Sequence, residues 1–394
     1  CSLCRRGGCR WRGREGRVLA GHPWIYRNEI ADLQGEWRQG QAVTVIDGGG
    51  NFVGRGFYNP RTGIACRLLT RHDEPIDAGF FLKRIEAAHA YRRSLGREGN
   101  AERLVWSEAD GLPGLVVDRY GPVAVLQCLT LGMSEIRPLI GAALQAGLRP
   151  SAIYLKDEPG AARLEGFEPR RGWASGDATP EVEIQEGHCR FIVNVESGQK
   201  TGFYLDQREN RELIGKLAAG RKCLDAFCYT GAFSCHALAG GAEEVLGIDS
   251  QAEALSLARR HASLNGFPER AQFREVNAFD ELRGLERQGG RFDLIVLDPP
   301  PFTRRKEALE SAVRGYKEVN LRALRLLEPG GLLATFSCSH HVTPSLFEEI
   351  CQVAAMDSGR TVRLLSVLGQ ARDHPILLTV PESRYLKGLL LQAA

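Results

Sequence analysis

No apolar run in the 394-residue chain approaches the roughly 20 residues a bilayer-spanning helix needs, so no membrane-spanning helix is expected. The opening residues are rich in Arg and Gly and have no apolar core of the kind a secretory signal carries. Eleven cysteines is an odd number, and they are scattered without a framework spacing. A disulfide scaffold is therefore not expected, and a reducing cytoplasm suits the chain better. Cys1, Cys4 and Cys9 fall short of a four-ligand zinc set, because the next thiol is Cys66, and no metal is expected. Lysine is scarce too, at 8 residues against 43 arginines.

What is present fits a globular protein of two or three domains, with 43% apolar and 25% charged residues. The net charge of +3 is unevenly spread. Residues 1–71 hold twelve Arg against five acids, a balance of +7, which leaves −4 on the other 323 residues. A cationic end on a nearly neutral protein is the usual footprint of a polyanion site. A general preference for Arg over Lys would not gather charge at one end.

Three regions follow one another after an Arg-rich leader, residues 1–16. Residues 17–75 alternate short β-type runs (Ala42 to Ile46, Phe52 to Phe57, Ile64 to Leu69) with Gly-rich turns, as in a small barrel. Residues 76–195 open on an amphipathic helix from Ala78 to Leu95 and continue as a mixed α+β region, with a further helix from about Ser134 to Ala146. Residues 196–394 turn to a strand–helix–strand rhythm from Lys222 onward. Cys223 to Phe227, Val245 to Ile248, Gln272 to Val276, Asp293 to Leu297 and Leu332 to Phe336 read as buried strands. Such alternation predicts an α/β, mostly parallel, doubly wound sheet, with its ligand at the carboxyl ends of the strands.

The first of those ends reads Leu224-Asp225-Ala226-Phe227-Cys228-Tyr229-Thr230-Gly231-Ala232-Phe233. A dinucleotide enzyme needs three glycines here so that backbone can approach a pyrophosphate, and only Gly231 is present. S-adenosylmethionine has no phosphate but carries an ammonium and a sulfonium, which an acid such as Asp225 suits. The second end, Ile248-Asp249-Ser250, offers a carboxylate for both ribose hydroxyls, and the third, Asn277-Ala278, an amide for the adenine edge. Each could simply cap a helix. All three at successive strand ends make capping alone a poor account.

The fourth strand ends in Asp298-Pro299-Pro300-Pro301-Phe302, a stiff loop because consecutive prolines cannot continue a central strand. Loops of this type are typical of nucleobase methyltransferases: the acid or carbonyls meet the base edge and the aromatic stacks on its face. The fifth end, Phe336-Ser337-Cys338-Ser339-His340-His341, adds a thiol. Carbon 5 of cytosine is too weak a nucleophile to attack a methylsulfonium unaided. A Cys338 thiolate adding to carbon 6 would activate it, with Asp298 as partner of ring nitrogen 3. His340 or His341 could lower the thiol's pKa or relay protons. The competing reading is a buried cysteine acting as a small hydrophobe, which the flanking serines and histidines oppose.

On these motifs the chain resembles the large-subunit ribosomal RNA cytosine-5 methyltransferases built as a PUA domain, a small central domain and a Rossmann-like class I methyltransferase. The likeness is carried by Gly198-Gln199-Lys200-Thr201-Gly202-Phe203-Tyr204-Leu205-Asp206-Gln207-Arg208-Glu209-Asn210-Arg211, the Asp225 to Phe233 loop, Asp298 to Phe302, Tyr316 to Asn320 and Ser337-Cys338-Ser339. Gly21-His22-Pro23-Trp24-Ile25-Tyr26 resembles the start of the family's PUA domain, and Asp110 to Gly114 a turn of its central domain. The resemblance implies S-adenosylmethionine held by Asp206, Gln207, Arg208, Asp225, Phe227, Tyr229, Gly231, Asp249, Ser250, Asn277, Ala278 and Asp298. It implies RNA contacts at Pro299, Pro300, Phe302, Lys200, Tyr204, His22 and Trp24, and Cys338 as nucleophile. The implied partner is large-subunit ribosomal RNA, with a homodimer left open. Many RNA cytosine-5 methyltransferases carry a second cysteine after the Pro-Pro pair, thought to help release product. Pro301 stands there, so release needs another group.

Two rival functions stay open at this level. A guanine or adenine methyltransferase would attack through nitrogen and need no thiol, so Cys338 discriminates. A non-catalytic RNA-binding assembly protein would not need Asp225, Gly231, Asp249, Asp298 and Cys338 together. An NAD-dependent oxidoreductase is more distant, because the glycines are missing.

Overall fold

The computed structural model describes residues 8–11, 15–96, 98–303 and 306–394. They divide into two compact units, each assembled from separate stretches of chain. The first comprises Cys1–Ile184, Val193–Leu205 and Arg372–Ser383; the second comprises Gln185–Ile192, Asp206–Ala371 and Arg384–Ala394.

The first unit starts with β1 (Gly8–Trp11), helix α1 (Glu15–Leu19), β2 (Trp24–Tyr26), β3 (Ile30–Gln34), β4 (Ala42–Ile46), β5 (Phe52–Tyr58) and β6 (Ile64–Thr70). These strands form one sheet in the order β2-β6-β5-β4-β1-β3. The expected runs match β4, β5 and β6 almost to the residue. β1 is a correction. It lies in the stretch read as a leader, yet it pairs with β3 and runs parallel to β4. Four residues flanked by arginines are too short to show a strand's alternation.

The helix α2 (Ala78–Ser94) is capped by Asp77, whose side chain accepts the Phe80 N–H at 3.1 Å. β7 (Ala101–Trp106), β8 (Leu115–Tyr120) and β9 (Val123–Cys128) follow. Two helices, α3 (Leu131–Glu135) and α4 (Arg137–Leu148), replace the single one expected there. Pro138 in the first turn of α4 cannot supply the N–H a continuous helix would need, so the chain restarts at that point. β10 (Ala152–Lys156), α5 (Pro159–Glu165) and β11 (Arg171–Ser175) complete a five-stranded sheet, β11-β10-β9-β8-β7. Ala42, Phe57 and Leu69 share one core with Phe81, Ile85, Leu104 and Leu126. The two regions read as separate domains are thus welded by apolar packing. A ribbon of β12 (Glu181–Glu186) and β13 (Cys189–Asn194) comes next, and its tip, 185–192, belongs to the second unit.

The second unit holds α6 (Arg208–Leu217), β14 (Lys222–Ala226), α7 (Ala232–Ala239), β15 (Glu244–Asp249), α8 (Ala252–Leu264), β16 (Ala271–Glu275), α9 (Ala278–Arg287) and β17 (Phe292–Leu297). It ends with α10 (Leu309–Leu326), β18 (Leu327–Ser337), α11 (Pro344–Ser358), β19 (Val362–Gly369) and β20 (Lys387–Ala393). The sheet order is β16-β15-β14-β17-β18-β20-β19. β14 to β18 pair in parallel, while β20 runs antiparallel to both of its neighbours. All five expected strands are present; β14, β15, β17 and β18 are largely buried, as a parallel sheet between helices requires, whereas β16, expected to be buried, is the edge strand and only its Phe273 is buried. The strand order reverses between β14 and β17, which puts the crevice for a ligand beyond their carboxyl ends. Among the described residues no helix is long and apolar enough to cross a membrane.

Candidate functional site

At the end of β14, the Asp225 side chain is buried, and its Oδ2 accepts both the N–H of Ser234 at 3.0 Å and the Ser234 hydroxyl at 2.6 Å. Its other oxygen, Oδ1, is buried with no donor in reach. Burial pushes the Asp225 carboxyl up to about 6. A buried carboxylate oxygen without a donor is costly, and a cationic ligand group would relieve that cost. Just before α6 the buried Gln207 shows the reverse lack. Its Oε1 accepts from Asn210 at 2.5 Å, while its Nε2 has no acceptor.

The loop after β14 has left-handed backbone at Phe227 (φ 64°), Tyr229 (φ 48°) and Gly231 (φ 72°). Non-glycine residues rarely sit there, and such strain concentrates at ligand sites. Asp249, at the end of β15, holds this loop: its Oδ2 accepts the Tyr229 N–H at 2.9 Å, and its Oδ1 that of Gln251 at 3.0 Å. At Gly231 a Cβ would meet Ala258 at 3.0 Å and the Phe273 ring at 3.1 Å, so its φ and the packing of α8 and β16 also require glycine there. Ser250 follows Asp249 as an exposed residue. Asn277 is exposed and caps α9, accepting the N–H groups of Phe279 at 2.9 Å and Asp280 at 3.4 Å. That leaves its NH2 for a ligand, beside the buried Ala278.

Asp298 is half-buried, and its N–H bonds back to Ala226 O at 3.4 Å. Pro299 is buried and Pro300 exposed. Phe302 does not stand alone as a stacking platform. It sits among Tyr316, Phe279 and Phe227, with ring centroids 4.5, 5.5 and 6.2 Å away. Across that loop, Cys338 Sγ lies 4.0 Å from Pro299 O. Of the nine described cysteines Cys338 alone is not buried. Ser337 and Ser339 beside it are fully buried, and Ser339 Oγ bonds the Tyr316 hydroxyl at 2.9 Å. The β18 end therefore holds one half-buried cysteine on a fixed backbone. His340 is exposed and His341 half-buried.

Asp206 precedes α6; its Oδ2 accepts the Tyr385 hydroxyl at 2.6 Å. Arg208 is turned into a buried cluster, donating to Glu186 at 3.2 Å, where Arg211 and His236 also bond. That cluster holds Glu186 well below the usual carboxylate range despite its burial. In the first unit, Lys200 (φ 51°) lies over the Tyr204 ring at 5.0 Å. His22 is buried there, bonded to Arg17 at 3.0 Å, to the Trp24 N–H at 3.2 Å and to Glu382 at 3.3 Å. Trp24 Nε1 donates to Glu108 at 2.8 Å. His22 and Trp24 are thus framework residues in this fold. Several arginines are also committed internally: Arg17 to Glu29, Arg67 to Glu165, Arg55 to Asp73, and Arg71 to the carbonyls of Val18 and His22. Arg5, Arg6, Arg12 and Arg14 lie outside the described residues.

Sequence reasoning passed over Lys387, Tyr385 and Ser234. Lys387 carried a signal nonetheless, as a lone cation opening the run Gly388-Leu389-Leu390-Leu391 in a chain with few lysines.

The chain matches a family model for S-adenosylmethionine-dependent methyltransferases over residues 167–366 and one for PUA-like domains over residues 12–71. It is 41% identical to the ribosomal RNA large subunit methyltransferase I of Alteromonas mediterranea, covering 94% of each chain. To the protein of the same name from Klebsiella pneumoniae it is 40% identical over 96% of each. Among solved structures it superposes on an S-adenosylmethionine-dependent methyltransferase from Streptococcus mutans with a TM-score of 0.84, at 22% identity over 98% of this chain and 99% of that one. A methyltransferase solved in complex with SAH gives 0.85 at the same identity and coverage. At that identity the two structures show the fold.

Proposed function

The chain belongs to the S-adenosylmethionine-dependent methyltransferases with an amino-terminal PUA-like domain, and we propose that it methylates carbon 5 of a cytosine in large-subunit ribosomal RNA through a covalent Cys338 adduct. The RNA class rests on the ribosomal RNA large subunit methyltransferase I relatives, aligned over nearly their whole length. A cytoplasmic place of action follows from that substrate. The choice of carbon 5 rests on one observation: at the end of β18, beside the Asp298 loop, stands a half-buried cysteine, while the other eight described cysteines are buried. A nitrogen-directed methyltransferase has no use for it.

The buried groups fit S-adenosylmethionine. Asp225 Oδ1 lacks a donor and suits its ammonium, Gln207 Nε2 lacks an acceptor and suits its carboxylate, and Asp249 keeps lone pairs for the ribose hydroxyls. When bound, the cofactor supplies an electrophilic methyl on a sulfonium. The Cys338 thiolate adds to carbon 6 of the base, and the electron pair of the 5,6 double bond makes carbon 5 nucleophilic. Asp298 meets the ring at nitrogen 3. After carbon 5 has taken the methyl its proton passes to solvent, the C5–H electron pair re-forms the 5,6 double bond, and the Cys338–carbon 6 bond breaks with its pair returning to sulfur as the thiolate.

Mapping methylated nucleosides by mass spectrometry, in ribosomal RNA from cells with and without the gene, tests this directly. One 5-methylcytidine of the large-subunit RNA should be lost with the gene. Loss of a methylated guanine or adenine instead would overturn the assignment.

A further inference from the structure

Lys387 opens β20 and faces Ser337 in the antiparallel ladder with β18, one residue before Cys338. Its side chain is buried, an expensive setting for an ammonium. The amine donates to Ser339 O at 2.8 Å and to Tyr385 O at 2.8 Å. One N–H is thereby fixed on the backbone next to the thiol, and a second on the chain leading into β20. Burial lowers the amine, and a charge on Cys338 would oppose that lowering.

The groups facing this pair come from four elements. Tyr316 on α10 bonds Ser339 and also feels Cys338, and burial raises its hydroxyl. Tyr385 stands before β20, with Asp206 behind it. Asp298 belongs to the loop whose Pro299 carbonyl lies 4.0 Å from Sγ. His340 and His341 follow in sequence. Lys387 is the cation among them held in place by two backbone carbonyls.

We infer that the Lys387 ammonium, anchored on Ser339 O next to Cys338, holds the resting nucleophile as a thiolate. The S–H bond breaks with its electron pair left on sulfur, and the proton leaves to solvent. Burial lowers the amine to about 8, which still leaves it protonated at neutral pH. After turnover the same ammonium receives the departing sulfur. Lys387 is a positioning residue for Cys338, and this role rests on Cys338 being the nucleophile.

The experiment is the rate of Cys338 carboxamidomethylation by iodoacetamide from pH 5.5 to 9.5, read at that peptide by mass spectrometry in the full-length protein. Lys387→Met should slow alkylation at pH 7 by about tenfold and move the midpoint to that of an unassisted thiol. Lys387→Arg keeps a charge and should stay within about threefold of wild type. If methionine abolishes S-adenosylmethionine binding, Lys387→Gln, which keeps a donor for the carbonyls, replaces it in the same measurement. A neutral variant that alkylates like wild type at every pH overturns the inference, as does an arginine variant as slow as methionine, which would make packing the cause. Methyl transfer by Cys338→Ala separates the two claims. An active alanine variant sinks the nucleophile reading itself, whereas an inactive one with unchanged Lys387→Met alkylation sinks only the role of Lys387.

Discussion

The carboxylate of Asp249 accepts the backbone N–H of Tyr229 at 2.9 Å, so the acid ending β15 also holds the left-handed turn after β14. One side chain thus fixes the loop after β14 and, under the proposed function, also offers oxygens to a ribose. Asp249→Ala should weaken S-adenosylmethionine binding at least about tenfold, since charge-assisted hydrogen bonds are worth roughly 1.5–3 kcal/mol each. Calorimetry with an analogue lacking the ribose hydroxyls separates the duties. The alanine variant should bind that analogue nearly as well as wild type does. Equal losses for both ligands would mean that Asp249 serves the loop alone.

Asp225 predicts a conflict between stability and binding. Its carboxyl titrates near 6 instead of near 3.8, so the fold prefers it protonated. The stability it contributes is complete below about pH 4 and is lost as pH rises through 6, a change of about 2–3 kcal/mol. Asp225→Asn keeps an oxygen for Ser234 and removes the charge. It should raise the melting temperature of the free protein at pH 7.5, leave it little changed at pH 4.5, and weaken S-adenosylmethionine binding. Thermal denaturation at the two pH values checks this. A variant less stable than wild type at pH 7.5 would contradict it.

For RNA, the arginines to test are those without an internal ion pair among the described residues. Arg10, Arg38 and Arg61 are exposed. Replacing all three by Glu should weaken RNA binding and flatten its dependence on salt, because each phosphate contact releases a condensed counterion. S-adenosylmethionine affinity should not change. Filter binding at several salt concentrations decides it: parallel slopes would remove this surface from the RNA interface.

The parallel sheet was legible because β14, β15 and β17 are apolar runs ending in acids, a pattern local in sequence. β1 and the split between α3 and α4 were not, since one depends on partners in β3 and β4 and the other on a single proline. The placement of Asp225, Asp249 and Cys338 at or just past the ends of β14, β15 and β18 could be read from the sequence. The internal engagement of His22, Trp24 and Arg208 could not, because Glu382, Glu108 and Glu186 meet them from distant positions. The link of Lys387 to the Cys338 backbone could not be read for the same reason: Ser339, whose carbonyl it meets, lies 48 residues away in sequence.

The most direct test of the account is trapping on RNA that contains 5-fluorocytosine, incubated with S-adenosylmethionine. Fluorine cannot leave carbon 5 as a proton does, so the Cys338–carbon 6 bond should persist. Wild type should form an RNA-linked species stable to denaturation, with the base on the Cys338 peptide, and Cys338→Ala should form none while binding the cofactor normally. An alanine variant that still methylates RNA, or a wild type that methylates RNA but never becomes trapped, would contradict it.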